Sequence, residues 1–233
     1  MDAARSAPVP ARDQAALHRA ALRTPWHPVP DQVRAFLAGS RPVIYVAITS
    51  STPELVRQAV SALTPLAARI LVAATTHDLT DLARDQVMIA GLLPNHLVMG
   101  DADLAVIAGG QGSVQTALAA GVPFVGIPLQ PEQDANVTFA QNQGAARLVA
   151  QEAAGTPAMT ATARDLLTDT AARDNARRLE QIFAAVDGPA AAAQAIIEAA
   201  AHAPAPPQVP PPPANGAVGP KEQGGSLWTT SQR

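Results

Sequence analysis

Between residues 43 and 127 the chain repeats one pattern, and that pattern limits the folds open to it. A short, unbroken apolar run is bounded by Pro, Gly, Asp or Thr and followed by a polar or helical stretch. The runs are Val43-Ile44-Tyr45-Val46-Ala47-Ile48, Ile70 to Ala74, Val87 to Ala90, Leu104 to Ile107, and Phe124-Val125-Gly126-Ile127. Strands with one wet face alternate apolar and polar residues. Unbroken runs suit strands covered on both faces, as in a parallel sheet. Helices fit between them. Pro53 to Leu63 has Thr52 as N-cap and Pro53 at the first helical position. Ser113 to Ala120 is stopped by Gly121 and Pro123, and Glu132 to Asn142 ends before Gly144. Three more helices follow, near Ala161 to Leu167, Ala171 to Val186 and Pro189 to Ala201. The expectation is an α/β fold, a doubly wound parallel sheet of Rossmann-like kind with C-terminal helices.

The remainder of the chain reads differently. Residues 1–25 form an Ala- and Arg-rich extension with a short helix near Gln14 to Leu22, and 26–202 form the globular domain. Eight of the 22 prolines fall between Pro204 and Pro220, so 203–233 is expected to be a Pro-rich, disordered tail, with Trp228 an aromatic within it. Hydrophobic residues make up 48% but aromatics only 3%, so the core must be built from Ala, Val, Leu and Ile. A net charge of -3 gives no basic footprint for nucleic acid. Cysteine is absent, which excludes disulfides and thiolate metal sites. Neither a membrane-spanning run nor a signal-peptide pattern is apparent, and a cytoplasmic location is expected.

With the common strand order 3-2-1-4-5, ligands bind beyond the carboxyl ends of the first and fourth strands, where the winding reverses. The residues there are Thr49-Ser50-Ser51-Thr52 and Ala108-Gly109-Gly110-Gln111-Gly112-Ser113, and both segments lead into helices. Glycines let a backbone approach a phosphate closely, and free N–H groups at a helix start point at it. Topology and local chemistry therefore select the same place. The plainer alternative is a tight strand-to-helix turn with Ser113 as its N-cap.

Other phosphate motifs fit less well. A Gly-Lys-Ser/Thr sequence is missing, so there is no P-loop. Gly110-x-Gly112 begins a dinucleotide fingerprint, but Gln115 stands at the third glycine position and the loop follows the fourth strand. His77 and His96 lack metal-ligand spacing to another His or acid, so no metal site is expected, and nothing around His18 or His27 marks either as a catalytic His.

Ala108 to Ser113, Ala117-Leu118, Gly121-Val122-Pro123, Pro128, Glu132-Gln133 and Asn136 together resemble the donor-site signature of inverting UDP-glycosyltransferases of the GT-B fold, especially the macrolide and antibiotic enzymes. Pro94-Asn95 to Asp103 is similar to that family's stretch against base and ribose, and Arg41 to Ser51 is similar to the strand and serine loop that open its C-terminal domain. The similarity runs from about Val29 to Ala200. It implies a nucleoside-diphosphate sugar, UDP- or dTDP-linked, as substrate, with no further cofactor. Gly109, Gly110, Gly112 and Ser113 would hold the diphosphate, and Ser50 would lie beside the nucleotide phosphates. Asn95 would face the nucleotide, and Glu132 and Gln133 would bind sugar hydroxyls. Two departures stand out: Ala108 replaces the family's usual His, and Thr116 its ribose-binding Glu.

The family's acceptor-binding half and its catalytic His have no counterpart in the residues before strand one, so no catalytic residue is assigned. The chain is expected to be the donor-binding half of a glycosyltransferase that needs a separate acceptor domain or partner protein and is inactive alone. The rival readings are a non-catalytic, degenerate nucleotide-sugar-binding or regulatory subunit, and a sugar-nucleotide epimerase. At Glu132 the plainer reading is an acid that complements the helix dipole.

Overall fold

The computed structural model describes residues 28–202. The predicted helix near Gln14 to Leu22, the Pro-rich tail and Trp228 lie outside them. Six parallel strands form one sheet: β1 (Val43–Ala47), β2 (Arg69–Ala73), β3 (Val87–Ala90), β4 (Leu104–Ile107), β5 (Phe124–Gly126) and β6 (Ala146–Leu148). Their order is β3-β2-β1-β4-β5-β6. The expected order holds, with one strand more than the sequence reading found.

Helices α1 (Asp31–Leu37), α2 (Pro53–Leu63), α3 (Asn95–Val98), α4 (Gln111–Ala119), α5 (Pro131–Asn142), α6 (Pro157–Thr168) and α7 (Thr170–Ala184) belong to the same unit. A second compact unit begins at Gly188 and contains α8 (Gly188–His202), an Ala-rich helix.

Strand alternation divides the core between the two faces of the sheet. Ile44 and Val46 of β1 join Leu104 and Val106 of β4 beneath α2 and α6. Val43, Tyr45, Ala105 and Ile107 face the opposite way, toward residues of α1, α4, α5 and α7. All five residues of β1 and all four of β4 are buried. This double cover is why the runs are continuous in sequence. The caps also follow local chemistry. The Thr52 hydroxyl accepts from Leu55 N at 3.3 Å, and Pro53 occupies the first turn of α2.

Register sets the site. Ala47 of β1 pairs with Ile107 of β4, so the Thr49-Ser50 and Ala108-Gly109 segments leave the sheet side by side at its carboxyl edge. The chain passes from β1 toward one edge of the sheet and from β4 toward the other, so the winding reverses between these two loops, the place where open α/β sheets bind ligands.

Candidate functional site

The glycine loop is built around Gly109. Its φ of 89° lies in the left-handed region, and a Cβ there would stand 2.5 Å from Val137 Cγ2 and 2.9 Å from Gln133 O. Both the turn and the approach of α5 therefore require glycine. Gly110 and Gly112 differ: a Cβ on either would meet nothing within 4 Å. Internal packing gives no reason for glycine at these two positions, and the bare backbone leaves open space on the outer side of the loop.

Helix α4 begins at Gln111 with Gly110 as N-cap, two residues earlier than expected. Ser113 therefore sits inside the first turn and is not the cap. Val114 N donates to Gly110 O at 3.0 Å, the first bond of the helix. No acceptor among the described residues engages the N–H groups of Gly110, Gln111, Gly112 or Ser113. Free donors at the positive end of a helix dipole have the chemistry that suits an anion. The Ser113 hydroxyl, half-buried, likewise has no partner among them. Thr116, one turn on, donates to Gly112 O at 2.7 Å, so its hydroxyl turns back onto its own helix.

Opposite, Ser51 ties its own loop. Its N–H and Oγ both donate to Ile48 O, at 3.1 and 2.7 Å. The His77 ring Nε2 lies 2.7 Å from Ser51 O, so His77 pins this loop. Ser50 is exposed, and its hydroxyl is free of partners among the described residues. It lies on the wall shared by two concavities. One, about 270 Å³, is lined by Thr49, Ala73, Thr75, Thr76, Leu92, Leu93 and Asn95 as well as Ser50. The other, about 530 Å³, has Ser51, Glu54, Gln58, Leu129, Gln151 and Glu152 in its wall. The glycine loop lines neither of them.

Asn95 opens the short helix α3 and is fixed from below. Tyr45, fully buried in β1, donates its hydroxyl to Asn95 Oδ1 at 2.5 Å. Burial pushes the Tyr45 pKa upward, so the phenol stays protonated and remains a donor. With its oxygen engaged, Asn95 has its amide N–H groups to offer the smaller cavity. Farther out, on the segment after β2, Asp78 is held below the usual carboxylate range by hydrogen bonds from Thr80. Asp81 is lowered by its bond from Arg57.

Helix α5 carries the residues assigned to the sugar, and they diverge. Glu132 is exposed, and its Oε1 accepts from Asn136 Nδ2 at 2.5 Å. The same nitrogen donates to Gly109 O at 3.0 Å. Gln133 is only 6% exposed, and its Oε1 accepts from Leu129 N at 2.7 Å. Gln133 thus secures the loop after β5 from the core side, whereas Glu132 faces solvent. A signal for this was present in the sequence: Gln133, Val137 and Ala140 share one helical face, and all three are buried. Asn136 received no role from sequence, although it is the residue that joins α5 to the glycine loop.

Comparisons with known proteins agree with this architecture. Residues 57–199 match the family described as "Erythromycin biosynthesis protein CIII-like, C-terminal domain". A PGL/p-HBAD biosynthesis glycosyltransferase of Mycobacterium tuberculosis is 29% identical over 159 residues, covering 68% of this chain and 35% of that protein. A glycosyltransferase of Streptomyces sp. SF2575, solved in complex with thymidine diphosphate, superposes with a TM-score of 0.59 at 26% identity, over 72% of this chain and 45% of that one. A spinosyn rhamnosyltransferase shares the fold, with a TM-score of 0.65 at 24% identity, over 74% of this chain and 48% of its own. The chain thus spans 35% of the length of the curated relatives it matches. Its matched segment exceeds half of its own length, and the chain belongs to the erythromycin biosynthesis protein CIII-like C-terminal domain family.

Proposed function

We propose that this chain is the donor-binding part of a glycosyltransferase and that it holds a nucleoside-diphosphate sugar across the β1–β4 crevice. One observation carries the reading: four adjacent N–H groups, from Gly110 to Ser113, stand unpaired at the start of α4 at the sheet's switch point. In this reading residues 26–202 form the donor domain. Gly109, Gly110, Gly112 and Ser113 cradle the diphosphate, and Ser50 lies beside the nucleotide phosphates. Asn95 donates to the nucleotide in the smaller cavity, and Glu132 accepts from sugar hydroxyls.

An acceptor hydroxyl attacks the anomeric carbon, its proton passes to a base, and the nucleoside diphosphate departs. This chain stabilises the departing negative charge by oriented N–H groups and a helix dipole. The nucleotide-sugar is substrate, and no further cofactor takes part. We assign no base to this chain: His77 lines neither cavity and is tied by Nε2 to Ser51 O, and neither the glycine loop nor either cavity contains another histidine. The base and the acceptor site belong in this reading to an acceptor-binding domain or partner protein, and the isolated chain does not transfer sugar. Among the described residues no single helix is long and apolar enough to cross a membrane. The reading places the reaction in the cytoplasm.

The test is isothermal calorimetry with UDP and dTDP. Binding of at least one in the micromolar-to-millimolar range is expected. Absence of heat for both at millimolar ligand would overturn the proposal.

A further inference from the structure

We infer that Asn136 is the positioning residue of the donor site, and that its single amide nitrogen sets the diphosphate donors and the sugar-facing carboxylate together. The inference rests on the donor-binding reading above and adds a residue and a division of labour to it.

The geometry begins with two bonds from one atom. Asn136 Nδ2 donates to Gly109 O at 3.0 Å and to Glu132 Oε1 at 2.5 Å. An amide NH2 has two hydrogens, so both bonds can form at once. The first bond orients a peptide plane. The Gly109 carbonyl and the Gly110 N–H belong to the same trans peptide unit and point in opposite directions. Drawing the carbonyl toward α5 therefore aims the Gly110 N–H away from α5, into the open side of the loop. The φ of 89° at Gly109 is open to glycine without strain, and α5 lies so close there that a Cβ would meet Val137, so this peptide is placed beside the helix that carries Asn136. Without the Asn136 bond, Gly109 O would have no partner named among the described residues, and the plane could rotate.

The second bond restrains a long side chain. Glu132 is exposed and would otherwise sample several rotamers. Held at Oε1, it keeps Oε2 free as an acceptor one amide group away from the loop. Gln133, its neighbour, cannot share this task because its carbonyl oxygen is bonded to Leu129 N inside the core. Sugar recognition from this helix thus falls to one carboxylate, and its placement depends on Asn136.

The experiment compares wild type with Asn136→Ala and with Asn136→Asp, which keeps the side chain's size but supplies no N–H at neutral pH. Affinities for dTDP, UDP and their glucose conjugates are measured by calorimetry, thermal melting is recorded for each protein, and the Gly110 amide resonance is followed by ¹H–¹⁵N correlation. Asn136→Ala is expected to weaken nucleoside-diphosphate binding about tenfold and to weaken the sugar conjugate by a larger factor, since both arms are lost. The Gly110 resonance should move in the ligand-free protein. A purely structural role would lower both affinities by one common factor and leave that resonance in place. Should Asn136→Ala not fold, Asn136→Asp must show the same losses. A wild type that binds while a folded variant binds both ligands equally well overturns the inference alone. A wild type that binds none of the ligands overturns the donor-binding reading beneath it.

Discussion

The glycines of the loop illustrate how one residue type can answer two different demands. Gly109 is required by the fold, through its φ of 89° and because a Cβ there would collide with Val137 and the Gln133 backbone. Gly109→Ala should cost about 1–3 kcal/mol in denaturant unfolding, because the methyl has nowhere to go and the backbone is strained. Gly112 lies in the first turn of α4, where a Cβ meets open space. Gly112→Ala should leave stability unchanged or raise it by about 0.5–1 kcal/mol, since alanine loses less backbone entropy in a helix. The same methyl would stand where a phosphate must approach, so dTDP affinity should fall about tenfold. A variant that is stable and binds normally would remove the diphosphate from this loop. The two halves of this comparison were not equally legible in sequence. The Gly-Gly-x-Gly spacing gave the loop its place, but which glycine serves the fold depends on Val137, 28 residues away. The orientations of Glu132 and Gln133 were obscured in the same way. Both are polar, and only the buried phase shared by Gln133, Val137 and Ala140 separates them.

At the scale of elements, strands β1 to β5 and helices α2, α4 and α5 were legible because their signals are local. Unbroken apolar runs, the Thr52-Pro53 start of α2, and the glycines that follow α4 and α5 belong to the segments they define. Strand β6 escaped because Ala146-Arg147-Leu148 has neither length nor β-branched residues; it is a strand because β5 offers it an edge. The four-residue α3 is too short to show a helical period. What anchors the β6 edge is a long-range pairing that no local pattern reveals. Asp169 caps α7, its Oδ1 accepting from Ala172 N at 3.0 Å, while Oδ2 pairs with Arg147 of β6 at 3.2 Å. Asp169→Ala removes both and should cost about 1–2 kcal/mol, most of it from the cap. The partly exposed ion pair contributes at most about 1 kcal/mol. Asp169→Asn keeps a capping oxygen without the charge and should recover most of the loss. Urea unfolding of the two variants separates the terms, and equal losses would mean that the ion pair, not the cap, holds this corner.

For the whole molecule, the question is how a chain with a net charge of -3 would attract the proposed ligand, itself a polyanion. Long-range steering is unfavourable, so affinity has to come from groups that act at contact. The glycine loop and both concavities contain no Lys or Arg, and Arg57, on the nearby helix α2, is engaged with Asp81. The charge of the diphosphate would then be met by N–H dipoles whose field is felt only over the first turn of α4. Interactions of that range lie inside the Debye length, which shrinks from about 14 Å to about 8 Å between roughly 50 and 150 mM salt. Their strength should therefore change little across that interval. Calorimetry with dTDP over that range should show an affinity constant to within about threefold, with the slight like-charge repulsion being screened as salt rises. A steep loss of affinity would mean that cationic side chains outside the described residues, or on a partner domain, carry the phosphate. Such a result would move the centre of donor recognition away from the Gly109 loop even if binding itself were strong. A flat response combined with the Gly112→Ala loss would tie recognition to the backbone of one short segment, whose orientation the fold sets through Asn136.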